Sequence, residues 1–173
     1  MAKDAARVAR IVNEAVEEGR SSLDLSNCKL TSFPVALFKV MRDVLANIQF
    51  ISLENNELKF ISSDFMTNFN QLRELNLAGN ELKKLPDEVK ALAHLTTINL
   101  ARNKFSVFPH QLTELKTLQV INLEANEITE IPVQSLASMP FLKLLNMKAN
   151  PLRSETQTTQ QTVLSFELLT ADE

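Results

Sequence analysis

Apolar side chains recur along this chain as apolar-x-x-apolar-x-apolar, and the pattern returns six times. The third copy is Leu72, Leu75 and Leu77 with Leu82 behind it. The fourth is Leu95, Ile98, Leu100 and Phe105, and the fifth Leu118, Ile121, Leu123 and Ile128. The second runs Ile48, Ile51, Leu53 and Leu58, and the sixth Leu142, Leu145, Met147 and Leu152. The first keeps Leu23, Leu25 and Leu30 but has Arg20 in the opening position. The central alternation has a period of two, which predicts a short strand with one buried face. Strands separated by a return segment must run parallel. The returns carry apolar positions of their own: Val89 and Leu92 after Leu85-Pro86, Leu112 and Leu115 after Phe108-Pro109, Leu136 and Met139 after Ile131-Pro132. These predict short helical or irregular segments, each with a proline at its start, where a fixed φ helps and a lost N–H costs little. In the longer first return, Leu37, Met41, Val44 and Ile48 predict an α-helix at about residues 36–46.

One polar position repeats as faithfully as the apolar ones. Asn56, Asn80, Asn103, Asn126 and Asn150 are spaced by 24, 23, 23 and 24 residues. A period in the twenties with this local pattern predicts a solenoid of stacked units. After each strand the chain turns inside the stack and leaves buried N–H and C=O groups without ladder partners. A carboxamide both donates and accepts, so an inward asparagine satisfies such a turn and ties it to its neighbour. Cys28 stands in the first unit's place in this column and is expected to be a buried, inert thiol rather than a reactive one. The 24-residue units, the second and fifth, are expected to hold their extra residue on the convex side.

A stack of this kind exposes its core at both ends and needs caps. Ala5, Val8, Ile11, Val12, Ala15 and Val16 predict an amphipathic helix over residues 4–19, with Asp4 as N-cap and Gly19 as terminator. Its charges oppose the helix dipole, with Arg7 and Arg10 early and Glu17 and Glu18 late, so packing must hold it. At the other end Thr156 to Thr162 are polar and predict a loop. Leu164, Phe166 and Leu168 alternate with polar residues and predict an extended cover for the last unit. One domain of residues 1–173 follows: a cap helix at 1–19, about six repeats at 20–152, and a C-terminal cap at 153–173.

Residues 20–152 resemble the leucine-rich-repeat family. The resemblance rests on five units with the asparagine and four with proline after the closing apolar residue (Pro34, Pro86, Pro109, Pro132), in stretches such as LRELNLAGNEL and LKKLPDEVKALAHL. It is specifically to the 23-residue intracellular class. It implies an α/β repeat fold, a curved leucine-rich-repeat solenoid with parallel strands on the concave face and short helical or irregular convex segments. It also implies that the protein binds other proteins. The cysteine clusters that flank the repeats of extracellular relatives are missing, in keeping with an intracellular setting.

Charge and composition narrow the functional classes. The net charge of -3 offers no basic footprint for nucleic acid. No apolar run approaches the roughly 20 residues that cross a bilayer. One cysteine excludes an intrachain disulfide. No asparagine lies in a glycosylation acceptor site, and no apolar signal segment opens the chain. The expected compartment is therefore the cytoplasm, with the nucleus as the alternative. Lys3, Arg7 and Arg10 also fit a mitochondrial address, but a capping helix accounts for the same pattern. His94 and His110 lie in successive convex segments without metal-ligand spacing and are expected to be solvated. With only Gly19 and Gly79 as glycines there is no phosphate-cradling loop. No enzyme, cofactor or metal site is expected.

The informative surface is the exposed side of the strands. Between the two inward apolar positions the chain places Asp24, Ser52, Asn76, Asn99, Asn122 and Asn146. Asparagine is a poor strand former, so four in line break a local rule. They are expected either to ladder across the strands or to offer amides to a partner. A second column runs Ser22, Phe50, Glu74, Thr97, Val120 and Leu144 and becomes apolar late, and these side chains should be exposed. Charges alternate beside it, acidic at Glu54, Glu57, Glu74 and Glu81, basic at Arg102 and Lys104, acidic again at Glu124 and Glu127. An apolar contact edged by charge suits a protein interface. The expectation is a monomeric interaction module or adaptor whose concave face meets another protein. Asn76, Asn99, Asn122 and Asn146 would supply amide contacts, Glu74, Arg102 and Glu124 the polarity, and Val120 and Leu144 apolar anchors. The alternative is a structural or regulatory subunit bound through its cap helix or convex side. A chaperone of basic proteins would need the long acidic tail that this chain lacks.

Overall fold

The computed structural model describes residues 2–153 and 164–170. Seven parallel strands form one sheet in sequence order: β1 (Ser22–Asp24), β2 (Phe50–Ser52), β3 (Glu74–Asn76), β4 (Thr97–Asn99), β5 (Val120–Asn122), β6 (Leu144–Asn146) and β7 (Glu167–Leu169). The first six are the predicted repeat strands. The seventh comes from the alternating C-terminal segment and pairs Leu145 with Leu168. In each of the first six the middle residue is buried and its neighbours face out. The inward apolar positions of every repeat join one continuous core. The predicted loop at Thr156 to Thr162 lies outside the described residues.

Between strands the chain returns by α2 (Ala36–Val40), α3 (Ser63–Asn68) and α4 (Val133–Ala137), and by 3-10 turns at Asp87–Ala91 and His110–Glu114. Pro86, Pro109 and Pro132 each sit immediately before such a segment, as expected. The two 24-residue repeats use α-helix and the two 23-residue repeats use 3-10. An α-helix rises about 1.5 Å per residue and a 3-10 helix about 2.0 Å, so the six residues of α3 span nearly what five do in the 3-10 form, whereas α4 also has five and its repeat's extra residue follows it. The expected single helix over residues 36–46 is not formed. α2 stops at Val40, and a 3-10 turn at Leu45–Asn47 follows. Met41, Val44 and Ile48 are nonetheless buried. Spacings of three and four residues suit either helix type over so short a span, so the apolar pattern could not separate them.

The first helix, α1 (Ala2–Glu18), packs Val8, Val12 and Ala15 into the end of the core. It begins ahead of Asp4, which lies in the first turn and complements the dipole there instead of capping the helix. At the other end Gly19 takes φ +60°, and the Arg20 N–H reaches back to the Ala15 carbonyl (3.0 Å), closing the helix as only a left-handed residue allows. Arg20, which replaces the first repeat's opening leucine, bridges Glu18 (2.6 Å) and Glu14 (3.9 Å) and so offsets the acid that the dipole disfavours.

The asparagine column turns inward. Asn56, Asn80, Asn103 and Asn126 are buried and Asn150 is half-buried. Each Nδ2 donates to two carbonyls of its own turn and to one in the preceding repeat. Each Oδ1 accepts a backbone N–H of the preceding repeat, from Leu58, Leu82, Phe105 or Ile128 for the last four. The first repeat has no predecessor, which is why Cys28 suffices there. Arg7 of α1 takes over the turn, donating through Nη2 to the Ser26 carbonyl (2.9 Å), the Asn27 carbonyl and the Cys28 sulfur (3.1 Å).

A further column was not foreseen. The residue before each column member, Asn27, Asn55, Gly79, Arg102, Ala125 and Ala149, has φ between 55° and 71°. The left-handed turn lets its N–H reach the next repeat's turn, as Asn55 does to the Ala78 carbonyl at 2.9 Å.

Candidate functional site

Strand register lines up the outward residues as expected. Glu74 pairs with Thr97, Thr97 with Val120, and Val120 with Leu144. Asn76, Asn99, Asn122 and Asn146 stand side by side on β3 to β6. Phe50 is 36% exposed, whereas Val120 and Leu144 are half-buried by their neighbours on the face.

The asparagine row does not form a ladder between strands. Each Oδ1 accepts the backbone N–H two residues on, at 3.0 Å: Ala78 for Asn76, Ala101 for Asn99, Glu124 for Asn122 and Lys148 for Asn146. This side-chain turn closes the strand end. Asp24 and Ser52 do the same for Ser26 and Glu54 in the first two repeats. The backbone donor fixes which end of the carboxamide is oxygen. The four Nδ2 groups therefore point away from the turn as donors, and none has a protein acceptor among the described residues.

The two ends of the face differ. Over β1 to β4 lies an open hollow of about 370 Å³ lined by Asp24, Phe50, Glu74, Asn76 and Asn99, among others. Its carboxylates are Asp24 and Glu74, and among the described residues no cation is paired with Glu74. Over β5 to β7 the face carries Val120, Leu144 and the half-buried Leu169, with the exposed Glu167 beside Leu144.

Arg102 and Glu124 stand beside this face in the turn columns. Arg102 is already engaged. Its Nη2 meets Glu54 and its Nη1 meets the Asn55 side chain, each at 3.0 Å, reaching across the intervening repeat. Gly79 lies under that bridge, where a Cβ would fall 2.2 Å from Asn55 Oδ1 and 2.9 Å from Arg102 Nη1. Gly79→Ala is therefore expected to unseat both side chains and cost about 1 kcal/mol, since exposed ion pairs contribute little and positive φ disfavours a Cβ. Thermal melts at low and high salt check it: the deficit should shrink as salt screens the lost pair. Lys104 pairs with Glu81 of the adjacent repeat at 3.3 Å.

At the N-terminal end a groove of about 580 Å³ separates α1 from the first repeat. Ala5, Val8, Ala9, Leu30, Pro34 and Leu37 supply most of its walls, with Cys28 among its lining and Glu57 at its edge. Sequence reasoning missed it, because the groove exists only through the way α1 docks. The Cys28 sulfur raises the Arg7 pKa further above its already high ordinary value, so Arg7 stays charged at any relevant pH. His94 and His110 are both exposed, and no cluster of metal-ligating side chains occurs among the described residues.

Comparison with known proteins agrees with this architecture. A family model for leucine rich repeats matches residues 21–82, 46–105 and 93–152. The chain is 57% identical to mouse leucine-rich repeat-containing protein 20 and 56% identical to its human counterpart, over all of this chain and 94% of each relative. Among solved structures, a Leptospira interrogans leucine-rich-repeat protein superposes with a TM-score of 0.67 at 26% identity, covering 81% of this chain and 34% of that one. A Bacteroides thetaiotaomicron leucine-rich-repeat protein gives a TM-score of 0.68 at 24% identity over 77% of this chain and 17% of its own, a likeness of fold. No helix among the described residues is long and apolar enough to cross a membrane.

Proposed function

From the premise that this chain belongs to the leucine-rich-repeat family, whose members generally serve as protein-interaction modules, we propose that it is a non-catalytic adaptor that binds another protein through the exposed face of its sheet. The observation that carries this reading is the row of four fixed, unpartnered amide donors beside the apolar patch of Val120 and Leu144. The turns use only the oxygens, which leaves the nitrogens in register and available to a partner's acceptors. Seven strands about 4.8 Å apart make a face nearly 30 Å long, room for a contact of about 800 Å² per partner. The module acts as a monomer in the cytoplasm or nucleus, where its one free thiol, Cys28, stays reduced.

Cross-linking mass spectrometry in cells tests the reading. Cross-links from partner proteins should fall near residues 74–146 of the wild type and disappear for a folded Val120→Glu/Leu144→Glu variant. If the same partners remain, the face is not the site.

The apolar groove beside α1 supports a second reading, a partner held at the N-terminal cap. Deleting α1 cannot test it, since Val8, Val12 and Ala15 close the core. Ala5 and Ala9 are exposed and line the groove. Ala5→Glu/Ala9→Glu should leave the melting temperature within about 2 °C, a shift worth less than 1 kcal/mol for a chain of this size. Partner recovery is expected to stay unchanged, and its selective loss from the folded variant would move the site to the cap.

A further inference from the structure

We propose that the sheet face holds an extended segment of polyproline type lying across the strands, with a basic residue at one end and apolar residues at the other. This rests on the sheet face being the docking surface and adds what is docked there.

The chemistry of the asparagine row selects the conformation. Each oxygen already accepts a turn N–H, whereas the nitrogens are unused, so what the row chiefly has left to offer is donors. The partner must bring acceptors. An α-helix has already spent all but its last carbonyls within itself, and a sheet spends them on its ladder. A polyproline helix makes no internal hydrogen bonds and leaves every carbonyl free.

Spacing points the same way. The donors follow the strands at about 4.8 Å, so alternate asparagines lie about 9.6 Å apart. A polyproline segment repeats its faces every three residues, about 9.3 Å. A fully extended β-chain shows carbonyls on one side about every 6.7 Å, which fits neither one strand spacing nor two. Carbonyls three residues apart therefore reach either Asn76 and Asn122 or Asn99 and Asn146. From β1 to β7 such a chain covers about nine residues.

Charge sets the ends. The hollow over β1 to β4 offers Asp24 and Glu74 beside the Phe50 ring, a seat for a guanidinium or ammonium group. At the other end Val120, Leu144 and Leu169 accept aliphatic side chains, with the exposed Glu167 as a single carboxylate at their edge.

Fluorescence anisotropy with two labelled probes tests the inference. One probe has two arginines, a middle of alternating proline and alanine, and two leucines. The other is the same sequence reversed, because the chain direction is open. One probe should bind the wild type saturably. The informative substitution is asparagine to serine, because Ser52 already holds the equivalent turn in the second repeat and reaches less far. Of the double variants Asn76→Ser/Asn122→Ser and Asn99→Ser/Asn146→Ser, one should lose affinity at least about tenfold and the other less than about threefold, both with wild-type melting temperatures. Glu74→Gln should weaken binding and flatten its salt dependence. Failure of both probes to bind, or equal effects of the two asparagine pairs, would overturn the proposal. Tight binding that survives Val120→Glu/Leu144→Glu would instead sink the sheet face as the docking surface.

Discussion

Asn103→Ala is expected to lower stability by about 2–3 kcal/mol, whereas Asn99→Ala, four residues earlier, costs at most about 1. Both are asparagines of one repeat, at the end of β4 and in the turn that follows it, and the difference lies in what each amide serves. Asn103 donates to the Leu77, Leu100 and Ala101 carbonyls (2.9, 3.1 and 3.2 Å) and accepts the Leu82 N–H (3.0 Å). Leu77 and Leu82 belong to the preceding repeat, so its loss strands buried polar groups on both sides of one repeat boundary. Asn99 accepts a single N–H, from Ala101, and water can approach its half-buried side chain. For a domain of this size the melting temperature should drop by roughly 5–10 °C for Asn103→Ala and by no more than about 3 °C for Asn99→Ala. Asn103→Cys should be nearly as damaging as alanine, because a thiol succeeds at Cys28 only where no earlier repeat must be reached. Equal shifts for Asn99 and Asn103, measured by circular dichroism, would refute the division between an inward and an outward row.

That division was legible in the sequence because each row repeats and each residue type announces its chemistry. Leucine and isoleucine at a period of two and carboxamides at a period near 23 leave little freedom in register. What was not legible has a common cause. The left-handed column carries asparagine and glycine early but Arg102, Ala125 and Ala149 later, residues whose own preference is for other backbone regions. The stack imposes that conformation through turn-to-turn hydrogen bonds. The Arg7 clamp joins positions about twenty residues apart once only, so no periodicity reveals it. For the outward asparagines a ladder across strands competes with a local turn, and the local bond wins: an asparagine at a strand end bonds two residues ahead. That outcome sharpens the surface, because it frees the nitrogen and fixes its direction. Arg102 moves the other way. Its charge is directed at Glu54 and Asn55, which makes it a brace between repeats before it is anything else.

Phe69→Ala should be the most damaging single change, at about 3–5 kcal/mol. Phe69 is fully buried and stands among three other rings, with centroids 5.0 Å from Phe65, 5.7 Å from Phe33 and 5.9 Å from Phe38. These four rings join the first two return segments, where the first is too long to pack like the others. Removing one leaves a cavity bounded by stiff aromatics that cannot collapse into it, and the edge-to-face pair with Phe33 is lost as well. Phe69→Leu keeps most of the volume and should cost far less. In a linear stack the damage should stay local, since each repeat touches only its neighbours. Amide hydrogen exchange would show this as protection lost over β1 and β2 while β5 and β6 keep theirs. The consequence for binding is directional. The hollow around Asp24 and Phe50 rests on those first repeats, whereas Val120 and Leu144 do not. Phe69→Ala protein, held below its lowered melting temperature, should therefore retain the apolar end of a bound segment and lose its basic end. Uniform loss of exchange protection from β1 to β6 would show a single cooperative unit, and with it that the two ends of the face cannot be separated.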